Sequence, residues 1–338
     1  MDYWYAILQT KAVKKKPLRV KRFNEDLVLW RDDKGKVSCL RDRCSHRNTA
    51  LSLGKTNGDC IECPFHGLRF NGRGECILIP SNGASAKISK NLKVTSYEIR
   101  EAHGFVWIWW GRPRAELPEI PWFRELEQAK LIHTEASRIS PVGFCRMMEA
   151  NLDFGHFYFV HKFLRMPTMG PLADPFNVKV TGNRIDVTGN LRADDKRTVA
   201  ENPGISVKGS AIFPGCAMYD APGKKDQWNP SIAVVAPVDE FQSWFAFRVY
   251  IKDGRFRFLR YLYWNLIFIK ILFRIIHKQD LRIMTQQRVS TPECSDNLVC
   301  SADKGIIQYL KFWQNSQEKM THQIRGPFAD TGENIINL

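Results

Sequence analysis

No G-x-G-x-x-G follows a strand-like stretch in these 338 residues, so the chain offers no nicotinamide- or flavin-binding turn of its own. No helix-turn-helix, zinc-finger or aromatic RNA-binding signature accompanies the net charge of +15. That charge points to acidic partners in general and not to nucleic acid. The Lys and Arg are mostly scattered. Their densest run, Lys11 to Arg22 with Lys14, Lys15 and Lys16 in a row, reads as a solvated loop between two strands. Met1 to Tyr5 is polar and aromatic and lacks the apolar core of a secretory leader. The cysteines number nine, an odd count, which argues against a disulfide framework. A reducing, cytoplasmic setting is expected, with thiols free to bind metal. No uncharged run reaches membrane-spanning length. Phe258 to Ile276 approaches it but contains Arg260, Asn265, Lys270 and Arg274, which are costly in hydrocarbon. It reads first as a buried amphipathic helix, second as a helix lying on an anionic membrane surface, and third as a span.

What is present is a globular composition, 44% hydrophobic and 25% charged, on a chain long enough to bury a sizeable core. Up to about Trp110 the pattern is strand-like. Leu27–Trp30 and Phe105–Trp110 are short runs of β-branched and aromatic residues. Turn signals at Asp33–Lys34–Gly35, Asn57–Gly58–Asp59 and Asn71–Gly72–Arg73–Gly74 separate such runs. This predicts a small antiparallel β domain. Gly111 to Trp122, with Pro113, Pro118 and Pro121, reads as a linker. Pro141 to His161 has helical character, Phe176 to Ile251 returns to strands, and Phe258 to about Gln314 is helical again.

Cys44–Ser45–His46 is followed by Cys63–Pro64–Phe65–His66, that is C-x-H, a spacer, then C-x-x-H. Two loops, each giving one thiolate and one imidazole, suit a [2Fe–2S] cluster whose thiolates hold one iron and whose imidazoles hold the other. A Cys2His2 zinc site accepts the same donors, but its usual spacing keeps the Cys together and the His together. Gly67 after the second His permits close backbone approach, so that amides can hydrogen-bond to sulfur. Cys39, Cys60 and Cys76 lie outside the pattern and read as core or loop residues. The segments CSHRNTALSLG and CPFHGLRFNGRGEC resemble the N-terminal domain of the Rieske non-heme iron oxygenases.

Asp153, His156 and His161 form D-x-x-H-x-x-x-x-H. A non-heme Fe(II) centre needs two His and one carboxylate on one face, with open positions for dioxygen. His156 and His161 are five apart, about 140° around an ideal helix, so they converge only where the helix bends or ends. Gly155 is the weak point. Taken alone, two His among aromatic residues are more often core than ligands. Beside the upstream motif, the segment resembles the iron-binding segment of the same oxygenases. The resemblance implies that His156 and His161 ligate iron, with Asp280 as third ligand on a late helix and Asp296, Asp303 and Glu293 as fallbacks. It also implies a homotrimer in which Asp153 bridges the cluster histidines of one subunit and the iron histidines of its neighbour. Where many relatives carry Asn three positions before that Asp, this chain has Ala150, and Asn151 is displaced by one.

The fold implied is α+β. An all-β cluster domain over residues 1–115 precedes a catalytic domain over 116–338, a helix-flanked antiparallel sheet of helix-grip, START-like type. The function implied is hydroxylation or oxidative demethylation of a small, largely apolar organic substrate by dioxygen at a mononuclear Fe(II). The layout resembles the single-chain monooxygenase, O- or N-demethylase and natural-product hydroxylase branch. With no nucleotide motif in the chain, electrons come from a separate reductase or ferredoxin. Phe213, Met218, Trp228, Phe245 and Tyr263 are candidate pocket walls, though each also suits the core. Two alternatives stay open: a membrane-associated oxygenase acting on a lipid or pigment, and an electron carrier without catalysis.

Overall fold

The computed structural model describes residues 2–128, 131–165, 169–193, 201, 204–220, 230–252, 257–264, 266, 271, 273–287, 298 and 300–324. The first hundred residues fold into short antiparallel strands, as the turn spacing predicts. They are β1 (Tyr3–Gln9), β2 (Leu18–Arg22), β3 (Glu25–Arg31), β4 (Val37–Arg41), β5 (Lys55–Asn57), β6 (Cys60–Glu62), β7 (Arg69–Phe70), β8 (Cys76–Leu78), β9 (Ile99–Ala102) and β10 (Phe105–Trp110). They pair as β1-β10-β9, β2-β3-β4 and β5-β6-β7-β8. Lys14, Lys15 and Lys16 lie between β1 and β2, as expected. The turn residues do what their chemistry permits: Gly35, Gly58 and Gly74 have φ of +86°, +63° and +77°. Gly74 has a second constraint, because a Cβ there would stand 1.9 Å from the Val94 carbonyl oxygen.

The rest of the chain builds one large antiparallel sheet with helices against it. Its elements are α1 (Arg124–Gln128), β11 (Leu131–Ser140), α2 (Phe144–Ala150), α3 (His156–Val160), β12 (Leu172–Ala173), β13 (Asn177–Thr181), β14 (Arg184–Arg192), β15 (Ile205–Ile212), β16 (Cys216–Asp220), β17 (Pro230–Pro237), β18 (Ser243–Lys252), α4 (Arg257–Tyr263), α5 (Phe273–Met284) and α6 (Lys304–Ile324). The strand order is β11-β18-β17-β16-β15-β14-β12, with β13 paired to β14. α2 lies on β17, α6 on β13 and β14, and α4 on β11 and β18. α5 turns Phe273, His277 and Met284 inward, and the His277 ring stacks on Phe245 of β18 at 5.3 Å. The segment from Pro141 to His161 is two short helices, not one. The chain leaves helical geometry after Ala150 and re-enters it at His156.

The larger hydrophobic core runs from β1 and β10 into the large sheet, so the two expected domains share it. A smaller core, with Trp30, Leu51, Ile61 and Phe70, encloses Cys44 and Cys63. Arg248 of β18 fastens the shared region. Its guanidinium is 2% exposed and donates to Glu135 Oε2 of β11 at 2.8 and 3.0 Å, and to the His103 carbonyl between β9 and β10 at 2.6 Å. Burial raises the Glu135 pKa, but the charges of Arg248 and Lys11 prevail and hold it below the ordinary glutamate range. The stability this pair contributes is therefore complete above the ordinary glutamate pKa and is lost as pH falls below it. Arg248→Met leaves the buried Glu135 carboxylate with only Lys11, 2.8 Å from its other oxygen, and is expected to cost about 3 kcal/mol in chemical denaturation at neutral pH. An unchanged unfolding midpoint would remove Arg248 from that role.

Candidate metal centres

Two loops of the N-terminal region have the same backbone construction. In the first, the Cys44 N–H donates to the Thr49 carbonyl at 2.8 Å and the Cys44 carbonyl accepts from Asn48 N–H at 2.9 Å. In the second, the Cys63 N–H donates to the Leu68 carbonyl at 2.8 Å and the Cys63 carbonyl accepts from Gly67 N–H at 3.0 Å. Each loop closes through a left-handed residue four places after its Cys, Asn48 at φ 62° and Gly67 at φ 74°. The thiols of Cys44 and Cys63 are buried, while His46 and His66 are exposed with ring centroids 4.8 Å apart. Burial and the adjacent Cys63 thiol push the Cys44 thiol up to about 11, against the pull of the His46 and Arg47 amides hydrogen-bonded to its sulfur. A bound cation would reverse that balance, and the inward-facing amides suit a thiolate ligand. Two buried thiols and two outward imidazoles on facing loops fit a [2Fe–2S] cluster of Rieske type. Leu53, Phe65 and both imidazoles leave this tip of the molecule exposed.

The second centre is assembled from two helices that lie far apart in the sequence. Ligand atoms of His156, His161 and Asp280 all lie within 4.8 Å of one another. The Asp280 Oδ1 is 3.1 Å from His161 Nε2 and 3.7 Å from His156 Nε2. The 140° offset between the two His is resolved by ending the helix. His161 is the residue after α3, with φ −103° and ψ 58°, which swings its ring back toward His156. Asp153 sets the start of the same helix, its Oδ1 accepting from the Gly155 and His156 amides at 2.8 and 3.3 Å. Its Oδ2 faces His156 Nδ1 at 3.3 Å. Burial raises the Asp153 pKa, but the His156 side chain and these amides outweigh it and hold the carboxyl below its ordinary value.

Gln279 is a partner that the sequence motif does not mark. Its Oε1 lies 3.0 Å from His161 Nδ1. An amide oxygen only accepts, so with Gln279 in this orientation Nδ1 donates, and Nε2, 3.1 Å from Asp280 Oδ1, is the nitrogen that faces the metal position. Each His is thus held from behind, His156 by Asp153 and His161 by Gln279, with Nε2 turned inward. The donor set and its spacing fit a mononuclear iron with open positions. Gln279→Ala is expected to weaken iron binding at this centre by about 10- to 100-fold, measured by competition with a chelator. Wild-type affinity would show that His161 needs no such support.

Asn151 stands outside this set. Its Nδ2 donates to the Met147 carbonyl at 2.6 Å, and its Oδ1 accepts from the Tyr219 hydroxyl. Asp303 accepts from the Cys300 amide at 2.8 Å and is not among the three ligands, while Glu293 and Asp296 lie outside the described residues. Cys39, Cys60 and Cys76 are buried in strands.

A cavity of about 560 Å³ opens onto two of the three ligands, His156 and Asp280, with Asp153 beside them. The buried Arg146–Glu149 pair, 2.6 Å apart, forms a polar wall, and Ile283, Met284, Leu298 and Ile306 form an apolar one. Among the described residues, none of the candidate walls read from the sequence lines this cavity. Phe213 and Met218 are core, Phe245 stacks under His277, Tyr263 is exposed, and Trp228 lies outside the described residues.

Residues 3–98 match the family model of the Rieske [2Fe-2S] domain. The chain is 32% identical to Protein TIC 55, chloroplastic, of Arabidopsis thaliana over 182 residues, 53% of this chain and 34% of that protein. It is 35% identical to the toluene-4-sulfonate monooxygenase system iron-sulfur subunit TsaM1 of Comamonas testosteroni over 213 residues, 61% of this chain and 55% of that subunit. The chain therefore spans about a third of the first of these relatives and about half of the second. Its fold is similar to that of the NdmA QL mutant of Pseudomonas putida CBB5 solved with caffeine, with a TM-score of 0.75 over 100% of this chain and 98% of that one. The sequence identity there is 21%, and the likeness is one of fold.

Proposed function

We propose, for a chain that belongs to the Rieske proteins through residues 3–98 and has oxygenase subunits among its relatives, that it is the catalytic chain of a Rieske non-heme iron oxygenase. In this reading Cys44 and Cys63 hold one cluster iron, His46 and His66 hold the other, and His156, His161 and Asp280 hold a mononuclear Fe(II). Residues 1–115 then serve as the cluster domain and 116–338 as the catalytic domain. The observation that carries the reading is the triad itself: two imidazoles and one carboxylate within 4.8 Å, in the same chain as a Rieske domain. When bound, the cluster supplies single electrons and the mononuclear iron activates dioxygen for insertion into a C–H bond.

The protein's own part is to fix donors and shape the cavity. Asp153 and Gln279 fix the tautomers of the two His. The cavity lies within the range that takes small organic molecules. Its apolar wall fits the carbon body of such a substrate, and the Arg146–Glu149 end fits a polar substituent. TsaM1 is named for toluene-4-sulfonate and the NdmA structure contains caffeine, both small ring compounds with polar groups. A hydroxylation or a demethylation of such a compound is the reaction proposed. Electrons reach the chain from a separate reductase or ferredoxin, in keeping with a sequence that carries no nucleotide-binding loop. The exposed cluster tip supports a homotrimer in which it meets Asp153 of a neighbour. The test is product analysis with a panel of small aromatic compounds, a generic reductase and labelled dioxygen. A labelled hydroxylated or demethylated product is expected. Reductase oxidation without substrate turnover across the panel would count against the reading.

A further inference from the structure

The helical region before and around Asp280 exposes an unusual amount of apolar side chain. On α4, Leu259, Tyr261, Leu262 and Tyr263 are exposed, Leu259 to 61%. Leu266, Ile271 and Ile275 continue the series. Scattered exposed hydrophobics are ordinary, but seven within one segment are more than scatter. The same stretch of sequence is rich in cations and poor in acids. From Arg257 to Met284 the sequence has Arg257, Arg260, Lys270, Arg274, Lys278 and Arg282 against one acid, Asp280, which is turned toward the two His. Arg274, Lys278 and Arg282 are exposed on α5 and none pairs with a carboxylate among the described residues. Arg138 of β11 stands close enough to Arg274 for the two charges to repel, and its own contact is the Phe273 ring at 5.4 Å. Elsewhere Arg19, Arg31, Arg41, Arg184 and Arg248 are all paired with carboxylates.

We infer that α4 and the outer face of α5 form a surface that docks on a bilayer bearing anionic headgroups. The occupant must bring apolar volume and negative charge together. A second copy of this face would bring more cations. A bilayer interface supplies both: the exposed apolar side chains of α4 suit its acyl boundary, and Arg274, Lys278 and Arg282 on the outer face of α5 suit its anionic headgroups. No helix among the described residues is long and apolar enough to cross a membrane, so the contact is a peripheral one. The inference stands apart from the catalytic reading and does not depend on either metal centre.

The test is co-sedimentation of the full, cluster-loaded chain with phosphatidylcholine vesicles, with and without phosphatidylglycerol. Binding to the mixed vesicles at low salt is expected, with release at high salt and little binding to phosphatidylcholine alone. Replacing Arg274→Gln together with Lys278→Gln removes two charges and is expected to weaken binding about 25-fold. Leu259→Ser with Leu262→Ser should abolish it while leaving the cluster spectrum unchanged, since both side chains already face solvent. The inference is overturned if the chain stays in the supernatant with mixed vesicles at low salt, or if neutral vesicles bind it equally. It is also overturned if the serine pair dissociates an oligomer without changing vesicle binding, which would mark the face as a subunit contact.

Discussion

His156→Ala is expected to lose the mononuclear iron, keep the cluster and lose turnover entirely. Iron should fall from about three to about two per chain, with the spectrum of the cluster unaltered. The two centres draw on separate elements, the loops after β4 and β6 on one side and α3 with α5 on the other. Removal of one imidazole therefore leaves the four cluster ligands untouched. His161 and Asp280 alone offer two donors 3.1 Å apart, too few to retain Fe(II) against solvent and buffer. Measured iron that stays at the wild-type value, or turnover above background, would show that His156 is not a ligand.

Asp153→Asn is expected to retain both centres and to lower turnover by at least about 100-fold. The carboxylate acts at two atoms. Oδ1 caps the start of α3, which an Asn oxygen reproduces, so stability should change by no more than about 1 kcal/mol. Oδ2 faces His156 Nδ1 at 3.3 Å, and the amide puts an N–H donor or a neutral oxygen there in place of a charged acceptor. The imidazole loses the charge that orients it, a change that costs about 10- to 100-fold by itself. Where the same carboxylate also joins the iron to a neighbouring cluster, the loss is larger still. The decisive reading is the chemically reduced cluster mixed with substrate and dioxygen. In the wild type it should reoxidise with product formation, and in Asp153→Asn it should remain reduced. Asp153→Ala should show the same block with the added cost of the lost cap. Reoxidation at the wild-type rate would take Asp153 out of the electron path.

The two candidate cluster loops stand out in the sequence because each proposed ligand pair is local. Cys44 with His46 and Cys63 with His66 sit in single turns, where spacing alone implies convergence. The matched hydrogen bonding of those turns was not legible, since it rests on the left-handed backbone at Asn48 and Gly67. His156 and His161 posed a geometric difficulty in the sequence, and the structure meets it by ending α3 at Val160 and breaking the helical stretch between Ala150 and His156. Asp280 came from family resemblance, because no spacing rule links residues brought together only by the packing of α5 on β18. Gln279, next to it, gave no signal for the same reason: its role exists only once His161 is within reach. The candidate pocket walls illustrate the limit of composition. Phe213, Met218 and Phe245 are aromatic or soft, but they belong to the packed core, and the cavity is lined by residues outside the strands. Phe258 to Ile276, expected to be a buried amphipathic helix, has its described apolar side chains largely in solvent, Phe273 apart.

The most direct measurement is the iron and labile sulfide content of the purified chain after anaerobic reconstitution, taken with its electron paramagnetic resonance spectrum. About three irons and about two sulfides per chain are predicted, with a Rieske signal and a separate Fe(II) site that takes up nitric oxide as a dioxygen surrogate. Two irons with an intact Rieske signal and no nitric oxide adduct would leave an electron carrier and contradict the assignment of His156, His161 and Asp280 as a catalytic centre.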